Sequence, residues 1–179
     1  MSLVLVLGGA RSGKSRFAQK LAEGWGERVL FVATAAPGDD EMRRRISLHR
    51  QARPPQWRTL EVLTGAGEAI RREAGDAQAV VLDCLTVLLS NLWGGEEVVV
   101  ESLEARVQGE VEGIIGVAGS LSVPLIVVSN EVGLGLVPPY PTGRAYRDLL
   151  GWANQHLAEA ADEVYFLVAG LPLHLKPVP

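Results

Sequence analysis

Four short hydrophobic runs recur along the chain without the alternating polar residues that mark a half-exposed strand. They are Leu3–Leu7, Val29–Val32, Ala79–Leu82 and Leu125–Val128. Uninterrupted aliphatic and β-branched runs of this length are typical of parallel strands that are covered on both faces. Small or polar residues follow each run, and the carboxyl ends of parallel strands line the ligand crevice of an open α/β sheet. The sequence therefore predicts that the four ends converge on one site.

Helical periodicity occupies the segments between these runs. Phe17, Leu21 and Trp25 recur at i, i+4 and i+8, which predicts a helix directly after the first strand. Acidic residues at 39–41 precede basic residues at 43–45. The helix dipole favours this order, which predicts a helix from about Asp40 to His49. Further helices are predicted after Thr64 and over 85–92, 96–117 and 142–161.

The end of the chain carries a different pattern. Val164–Val168 and Leu171–Leu175 are apolar runs separated by Gly170, which predicts two closing strands that pair antiparallel. With the strand–helix alternation upstream, this indicates a three-layer α/β fold with a mostly parallel central sheet and an antiparallel edge strand. A length of 179 residues fits one domain covering 1–179.

Composition narrows the classes of ligand. The net charge of −4 and the pI near 5.4 give no general attraction to nucleic acid or to an anionic membrane. No hydrophobic run approaches the roughly 20 residues that cross a bilayer, so we expect no membrane insertion. Cys84 is the single cysteine, which excludes an intrachain disulfide and suits a cytoplasmic protein. Any binding of phosphate must come from a local site.

The first strand leads directly into a phosphate-binding motif. Residues 8–15 read Gly-Gly-Ala-Arg-Ser-Gly-Lys-Ser and match G-x-x-x-x-G-K-[ST] at every fixed position, between a predicted strand and a predicted helix. The glycines let backbone N–H groups face a phosphate, Lys14 reaches the β- and γ-oxygens, and Ser15 offers a hydroxyl to Mg²⁺. The motif therefore predicts a P-loop NTPase fold, RecA-like in type, that binds a nucleoside triphosphate.

Two acidic residues follow later strands. Asp83 ends the third hydrophobic run, where a P-loop protein holds the carboxylate that orients Mg²⁺. A simpler interpretation makes Asp83 an N-cap for the helix from Leu85. Glu131 follows the fourth run and is a second candidate for a base or a metal-orienting group. The chain has no Asn-Lys-x-Asp box, so it does not look like a switch GTPase, and the residues leave the nucleotide base open.

One histidine stands among arginines. Met42, Ile46 and His49 fall at i, i+4 and i+7, which places His49 at the end of the apolar stripe of its predicted helix. Five arginines between positions 43 and 53 surround it in sequence, a density suited to bidentate phosphate contacts. A neutral imidazole is a nucleophile toward phosphorus. The alternative is a solvated arginine-rich face with a half-buried histidine.

Taken together, these blocks resemble a known family over almost the whole chain: the bifunctional adenosylcobinamide kinase/adenosylcobinamide-phosphate guanylyltransferases of cobalamin biosynthesis. The resemblance is carried by the phosphate loop, Asp40-Glu41-Met42 leading to His49, Asp83-Cys84-Leu85-Thr86, and Asn130-Glu131-Val132-Gly133. A phosphate loop alone would be generic, whereas the histidine block together with Asn-Glu-Val-Gly is specific.

The resemblance implies two successive reactions. In the first, ATP or GTP phosphorylates the aminopropanol hydroxyl of adenosylcobinamide. In the second, GTP donates GMP to that phosphate by way of a guanylylated histidine, which gives adenosylcobinamide-GDP and pyrophosphate. Mg²⁺ is the implied cofactor, with Ser15 and Asp83 as its protein ligands, and a homotrimer is the implied assembly.

The resemblance also implies roles for individual residues. The catalytic residues would be His49, Lys14 and Asp83. The nucleotide-binding residues would be Gly8, Gly9, Ala10, Arg11, Ser12, Gly13, Lys14, Ser15, Ala33, Thr34, Ala35, Arg50, Gln51, Ala52, Arg53, Glu61 and Asp83.

Two other interpretations stay open at the level of the sequence. The chain could be a different small-molecule P-loop kinase that forms no covalent intermediate, or a non-catalytic nucleotide-binding module. Neither alternative explains the block around His49.

Overall fold

One seven-stranded sheet runs through the described part of this computed structural model, which covers residues 2–35, 44, 47, 50, 53–93 and 100–177. The strands are β1 (Leu3–Gly8), β2 (Val29–Ala33), β3 (Arg58–Glu61), β4 (Ala79–Asp83), β5 (Leu125–Val128), β6 (Glu163–Val168) and β7 (Leu171–Lys176). The helices are α1 (Lys14–Glu23), α2 (Ala66–Glu73), α3 (Leu85–Asn91), α4 (Val100–Ser120) and α5 (Pro141–Ala160). Arg44, Ser47 and Arg50 are also helical, in agreement with the helix predicted there.

The strand order is β3-β2-β4-β5-β1-β6-β7. Every neighbouring pair is parallel except β6 and β7, which are antiparallel. The predicted α/β architecture with an antiparallel edge is therefore confirmed. Strand β3 was not predicted from the sequence, because this four-residue edge strand is mostly exposed and carries no apolar run.

Both faces of the sheet are covered. Leu3, Leu5 and Leu7 of β1 join the larger buried cluster with side chains of α2, α3, α4 and α5, while Val4 and Val6 join the smaller cluster with α1. Burying an aliphatic side chain of this size stabilises a fold by about 1.5–3 kcal/mol, so both faces favour apolar residues. This explains why the strands show uninterrupted runs.

Helix α1 is shorter than its hydrophobic pattern suggests. It ends at Glu23, and Trp25 lies beyond it with 39% of its surface exposed. Ala18 and Ala22 supply its fully buried positions. The placement of Trp25 on the helix stripe was therefore wrong, because Gly24 caps the helix first. None of the helices in the described ranges is long and apolar enough to cross a membrane.

Candidate active site

The turn between β1 and α1 has a backbone path that requires glycine at two positions. Gly8 has φ +151°, and a Cβ there would lie 2.6 Å from the carbonyl oxygen of Leu167. Gly13 has φ +97°, and its Cβ would lie 3.2 Å from Cα of Gly170. The N–H of Gly170 donates to the Ser12 carbonyl at 2.9 Å. The turn between β6 and β7 therefore packs directly against the phosphate loop.

Lys14 begins α1 beneath this loop. Its side chain is buried, and its amine donates to the Gly9 carbonyl at 2.7 Å. Burial lowers the pKa of Lys14, while nearby Cys84 and Asp83 act in the opposite direction. The cationic group thus sits at the positive end of a helix dipole, an arrangement suited to an anion.

Thr34 joins the ends of β2 and β4. Its hydroxyl donates to the Cys84 carbonyl at 2.8 Å and accepts from the Cys84 N–H at 2.9 Å. The Asn91 amide donates to the Thr34 carbonyl at 2.9 Å. These bonds hold the backbone that directly follows Asp83. Burial, with a contribution from the Asp83 carboxylate, raises the pKa of the Cys84 thiol to about 11, so the thiol is uncharged at neutral pH.

Arg53 lies against an aromatic ring on the floor of the site. Its guanidinium carbon is 3.6 Å from the centre of the Phe31 ring, a cation–π contact, and Nη1 donates to the Thr59 hydroxyl at 3.1 Å. Its buried Nε meets no hydrogen-bond partner within the described ranges. Burial lowers the pKa of Arg53, and Asp83 partly offsets this. A guanidinium remains charged under any such shift, so Arg53 is a fixed cation with a spare donor.

The backbone at the end of β5 is held from three sides. The Asn130 N–H donates to the Thr86 hydroxyl at 2.8 Å, and the Asn130 carbonyl accepts from the Asn154 amide at 3.1 Å. The N–H of Glu131 donates to the Gly8 carbonyl at 3.0 Å. The Glu131 carboxylate accepts from the N–H of Gly133, within its own loop.

These elements enclose a cleft of about 740 Å³ at the carboxyl ends of the strands. Clefts of 300–1,000 Å³ are typical of small-molecule sites. Its lining comprises Ala10, Arg11, Ser12, Gly13, Lys14, Ser15, Arg16, Phe31, Ala33, Thr34, Ala35, Arg53, Asp83, Cys84, Val87, Val128, Asn130, Ala169 and Gly170. The arrangement offers a phosphate loop, four basic side chains and one carboxylate around a single space.

Comparison with known proteins shows the family to which the chain belongs. The family described as cobinamide kinase / cobinamide phosphate guanyltransferase, CobU, matches residues 4–175. The chain belongs to this family. The predicted class of enzyme, a kinase and guanylyltransferase acting on cobinamide, is thereby confirmed.

Three curated proteins resemble the chain over nearly its full length. The bifunctional adenosylcobalamin biosynthesis protein CobP of Pseudomonas aeruginosa is 45% identical over 175 residues, which cover 98% of both chains. The bifunctional adenosylcobalamin biosynthesis protein CobU of Escherichia coli is 39% identical and covers 97% of this chain and 99% of its own. The CobU protein of Salmonella typhimurium is 38% identical, with the same coverage.

A solved structure supports the fold. The RadB recombinase superposes with a TM-score of 0.53 over 92% of this chain and 73% of its own, at 16% identity. This likeness confirms the predicted RecA-like architecture of this CobU family member.

Most of the predicted site residues come together in the cleft. The phosphate loop from Ala10 to Ser15, the three residues 33–35, Arg53 and Asp83 all line it. Gly8 and Gly9 belong to the phosphate loop but do not line the cleft. Arg50 and Glu61 are exposed and do not line the cleft either. Glu131 does not line it either. His49, Gln51 and Ala52 lie outside the described residues.

The sequence analysis missed several lining residues. Phe31 and Val128 were assigned only to buried strands, and Gly170 was assigned only to the break between the two closing strands and to a block that resembles the family. Asn130 opens the Asn-Glu-Val-Gly block that carries the resemblance, but it was given no role in the site. The others depend on strand neighbours that are remote in sequence, so no local pattern reveals them.

Proposed function

We propose that this CobU family member phosphorylates adenosylcobinamide on its aminopropanol hydroxyl with ATP or GTP. It then transfers GMP from GTP to that phosphate through a guanylylated His49, releasing pyrophosphate and forming adenosylcobinamide-GDP in cobalamin biosynthesis. The observation that carries the proposal is the convergence of Lys14, Arg53 and Asp83 on one cleft below a phosphate loop.

In the kinase step the acceptor hydroxyl oxygen attacks the γ-phosphorus, and the bond to the β-γ bridging oxygen breaks. The hydroxyl proton passes to water, and the nucleoside diphosphate departs. Catalysis of such a displacement is mainly positioning and neutralisation of charge. Lys14 and the loop N–H groups would bind the β- and γ-phosphates, and Asp83 would face the same space.

The donor set fits Mg²⁺. The Ser15 hydroxyl and the Asp83 carboxylate both line the cleft, and Mg²⁺ prefers one or two such protein oxygens together with substrate phosphates and water. Among the described residues no group of three or more His, Cys, Asp or Glu could hold a metal ion. When bound, Mg²⁺ would neutralise charge on the phosphates.

In the guanylyl step an imidazole nitrogen of His49 attacks the α-phosphorus of GTP, and the bond to pyrophosphate breaks. A phosphate oxygen of the acceptor then attacks the same phosphorus and frees the imidazole. This route divides one displacement into two easier ones. Arg53 lines the cleft with its guanidinium stacked on Phe31, and this held cation is suited to bind a phosphate oxygen near the ends of β2 and β4.

The resemblance to the family also supports a wider assignment. We propose that the chain acts in the cytoplasm as a homotrimer. Sedimentation velocity of the purified protein tests the assembly, since a mass near that of a monomer or a dimer would contradict it.

The deciding experiment incubates the protein with Mg²⁺ and GTP labelled at the α-phosphate, and then denatures it. We expect acid-labile, alkali-stable label on the wild-type chain and none on His49→Ala. His174→Ala is the matched control, because His174 stacks on Tyr165 in the β6–β7 hairpin, and it should keep the label.

Other outcomes separate the alternatives. ATP-dependent phosphorylation of adenosylcobinamide without label would leave a kinase with no covalent intermediate. Nucleotide binding without either transfer would leave a binding module.

A further inference from the structure

A group of exposed apolar side chains lies on the segment between β5 and α5. Leu134, Leu136, Val137 and Tyr140 are 83, 96, 62 and 60% exposed. They make up four of the ten large hydrophobic side chains that are exposed in the described part of the chain. Apolar side chains exposed together within the single segment 134–140 make it a candidate binding surface, because their contact with water is unfavourable. We call these four residues the apolar ledge.

The ledge begins beside the nucleotide cleft. Asn130 lines the cleft, and the next residue, Glu131, donates its N–H to the Gly8 carbonyl of the phosphate loop. Leu134 is four residues from Asn130, which a chain spans within about 14 Å. The ledge therefore begins within about 14 Å of a residue that lines the cleft, on the side of the sheet where the parallel strands end.

Local contacts hold the ledge in shape. Nη1 of Arg144 donates to the carbonyls of Pro138 and Pro139 at 3.1 and 2.9 Å. A Cβ on Gly143 would lie 2.6 Å from the Tyr140 ring and 2.8 Å from Cβ of Pro138, so both pack directly on the Gly143 backbone. Apolar groups that are ordered before binding lose less conformational entropy when a ligand covers them.

The start of α5 ties the ledge to the catalytic edge. The Tyr146 hydroxyl donates to the Thr86 carbonyl at 2.7 Å, and the Thr86 hydroxyl accepts from the N–H of Asn130. Thr86 lies three residues after Asp83. The hydrogen bonds of Thr86 with Tyr146 and Asn130 would therefore fix the position of a ledge-bound ligand relative to the Asp83 carboxylate.

We propose that the apolar ledge binds a face of the corrin macrocycle of the acceptor, so that the aminopropanol arm reaches the cleft. This inference rests on the proposed function, because it takes cobinamide as the acceptor. A corrin ring presents broad apolar faces with polar amide groups at its rim, which suits Leu, Val and Tyr side chains on one surface.

A second exposed apolar group begins beside the cleft and leads away from it along β7. Leu171, Leu173 and Leu175 are 70, 53 and 50% exposed on β7. Because β7 runs antiparallel to β6, Leu173 and Leu175 lie progressively farther from the carboxyl ends of the parallel strands. They therefore serve as matched controls of similar chemistry at a distance from the cleft.

The test measures the KM for adenosylcobinamide and the KM for ATP in the kinase reaction of the full chain. Leu134→Ser with Leu136→Ser should raise the adenosylcobinamide KM at least about tenfold and leave the ATP KM unchanged, because two leucine contacts are lost. Leu173→Ser with Leu175→Ser should change neither value. Leu134→Met with Leu136→Met should restore the wild-type KM, since the apolar contact returns.

Equilibrium dialysis with adenosylcobinamide separates the two proposals. Wild-type protein that neither binds nor phosphorylates adenosylcobinamide would overturn both. An active wild type with an unchanged adenosylcobinamide KM in the serine variant would overturn the ledge alone. An equal rise in both KM values, or altered sedimentation with normal adenosylcobinamide binding, would assign the ledge to the cleft architecture or to contacts between copies, and would also overturn it.

Discussion

At the scale of single residues, Thr34 shows how one hydroxyl can order a strand end. It is fully buried, and its Oγ1 bonds both the N–H and the carbonyl of Cys84. The resemblance to the family implied that Thr34 binds nucleotide. It does line the cleft, but its hydroxyl is engaged with the backbone that follows Asp83.

Replacing Thr34 by valine should destabilise the fold. Thr34→Val keeps the shape but leaves the N–H of Cys84 without its partner, while the Cys84 carbonyl keeps only the Leu88 N–H, at a cost of about 1–3 kcal/mol. Urea denaturation would measure this as a fall in the free energy of unfolding. Thr34→Ser keeps the hydroxyl and should lose less, whereas equal losses in the two variants would mean that the methyl group matters and the hydrogen bonds do not.

Cys84 should react slowly with alkylating reagents despite its position in the cleft. With a pKa of about 11, only about one thiol in a thousand is ionised at pH 8, and the thiolate is the reactive form. The rate of carbamidomethylation should rise about tenfold per pH unit up to pH 10. The denatured chain is the control and should react quickly at pH 8. A native rate equal to the denatured one would contradict the raised pKa.

At the scale of elements, α2 and α4 cross through two glycines. A Cβ on Gly67 would lie 2.3 Å from the Gly113 carbonyl oxygen. The start of α2 is also held by Glu110 of α4, whose carboxylate accepts from the N–H groups of Gly65 and Ala66 at 2.8 and 2.6 Å. The close approach thus lets a side chain of one helix cap the other.

Gly67→Ala should push the two helices apart. Its methyl group meets backbone rather than a flexible side chain, so we expect a loss of about 1–3 kcal/mol in the free energy of unfolding. Gly116→Ala is the control, because Gly116 is exposed on α4 with open space around it. That change should stabilise the fold by up to about 1 kcal/mol through helix propensity. Similar effects of the two substitutions on chemical denaturation would show that the crossing tolerates a side chain.

At the scale of the whole molecule, the cleft is assembled from segments far apart in the chain. The phosphate loop follows β1, Asp83 ends β4, Asn130 follows β5, and Gly170 lies between β6 and β7. A ligand in the cleft therefore contacts most of the sheet at once, and binding should stabilise the entire fold.

Saturating nucleotide should raise the melting temperature. GTP with Mg²⁺ at 100 times its Kd adds about 2.7 kcal/mol, which corresponds to about 5–10 °C for a chain of this size. Lys14→Ala removes a buried cation of the phosphate site and should show a much smaller rise at the same GTP concentration. Differential scanning fluorimetry measures both, and an equal rise in the variant would exclude Lys14 from nucleotide binding.

The local sequence was sufficient to predict the central strands of the sheet and the phosphate loop. The hydrophobic runs located β1, β2, β4 and β5 to within one residue at either end, because strands buried on both faces need uninterrupted apolar residues. The loop was recognisable because its backbone leaves no room for a Cβ atom at positions that therefore have to be glycine. Gly8, which packs against the backbone of Leu167, is an example. Asp83 was found for a related reason, since it directly follows one of these strands.

The rest depended on contacts between distant segments. Strand β3 forms because it pairs with β2, and the turn at Ala169–Gly170 lines the cleft because β6 pairs with β1. Arg53 acquires its stacked position from Phe31, and Asn130 is held by Asn154, partners 22 and 24 residues away. A local pattern records which faces must be buried but not which neighbours bury them. Strand order, the lining of the cleft and the position of the apolar ledge beside it therefore follow from tertiary packing.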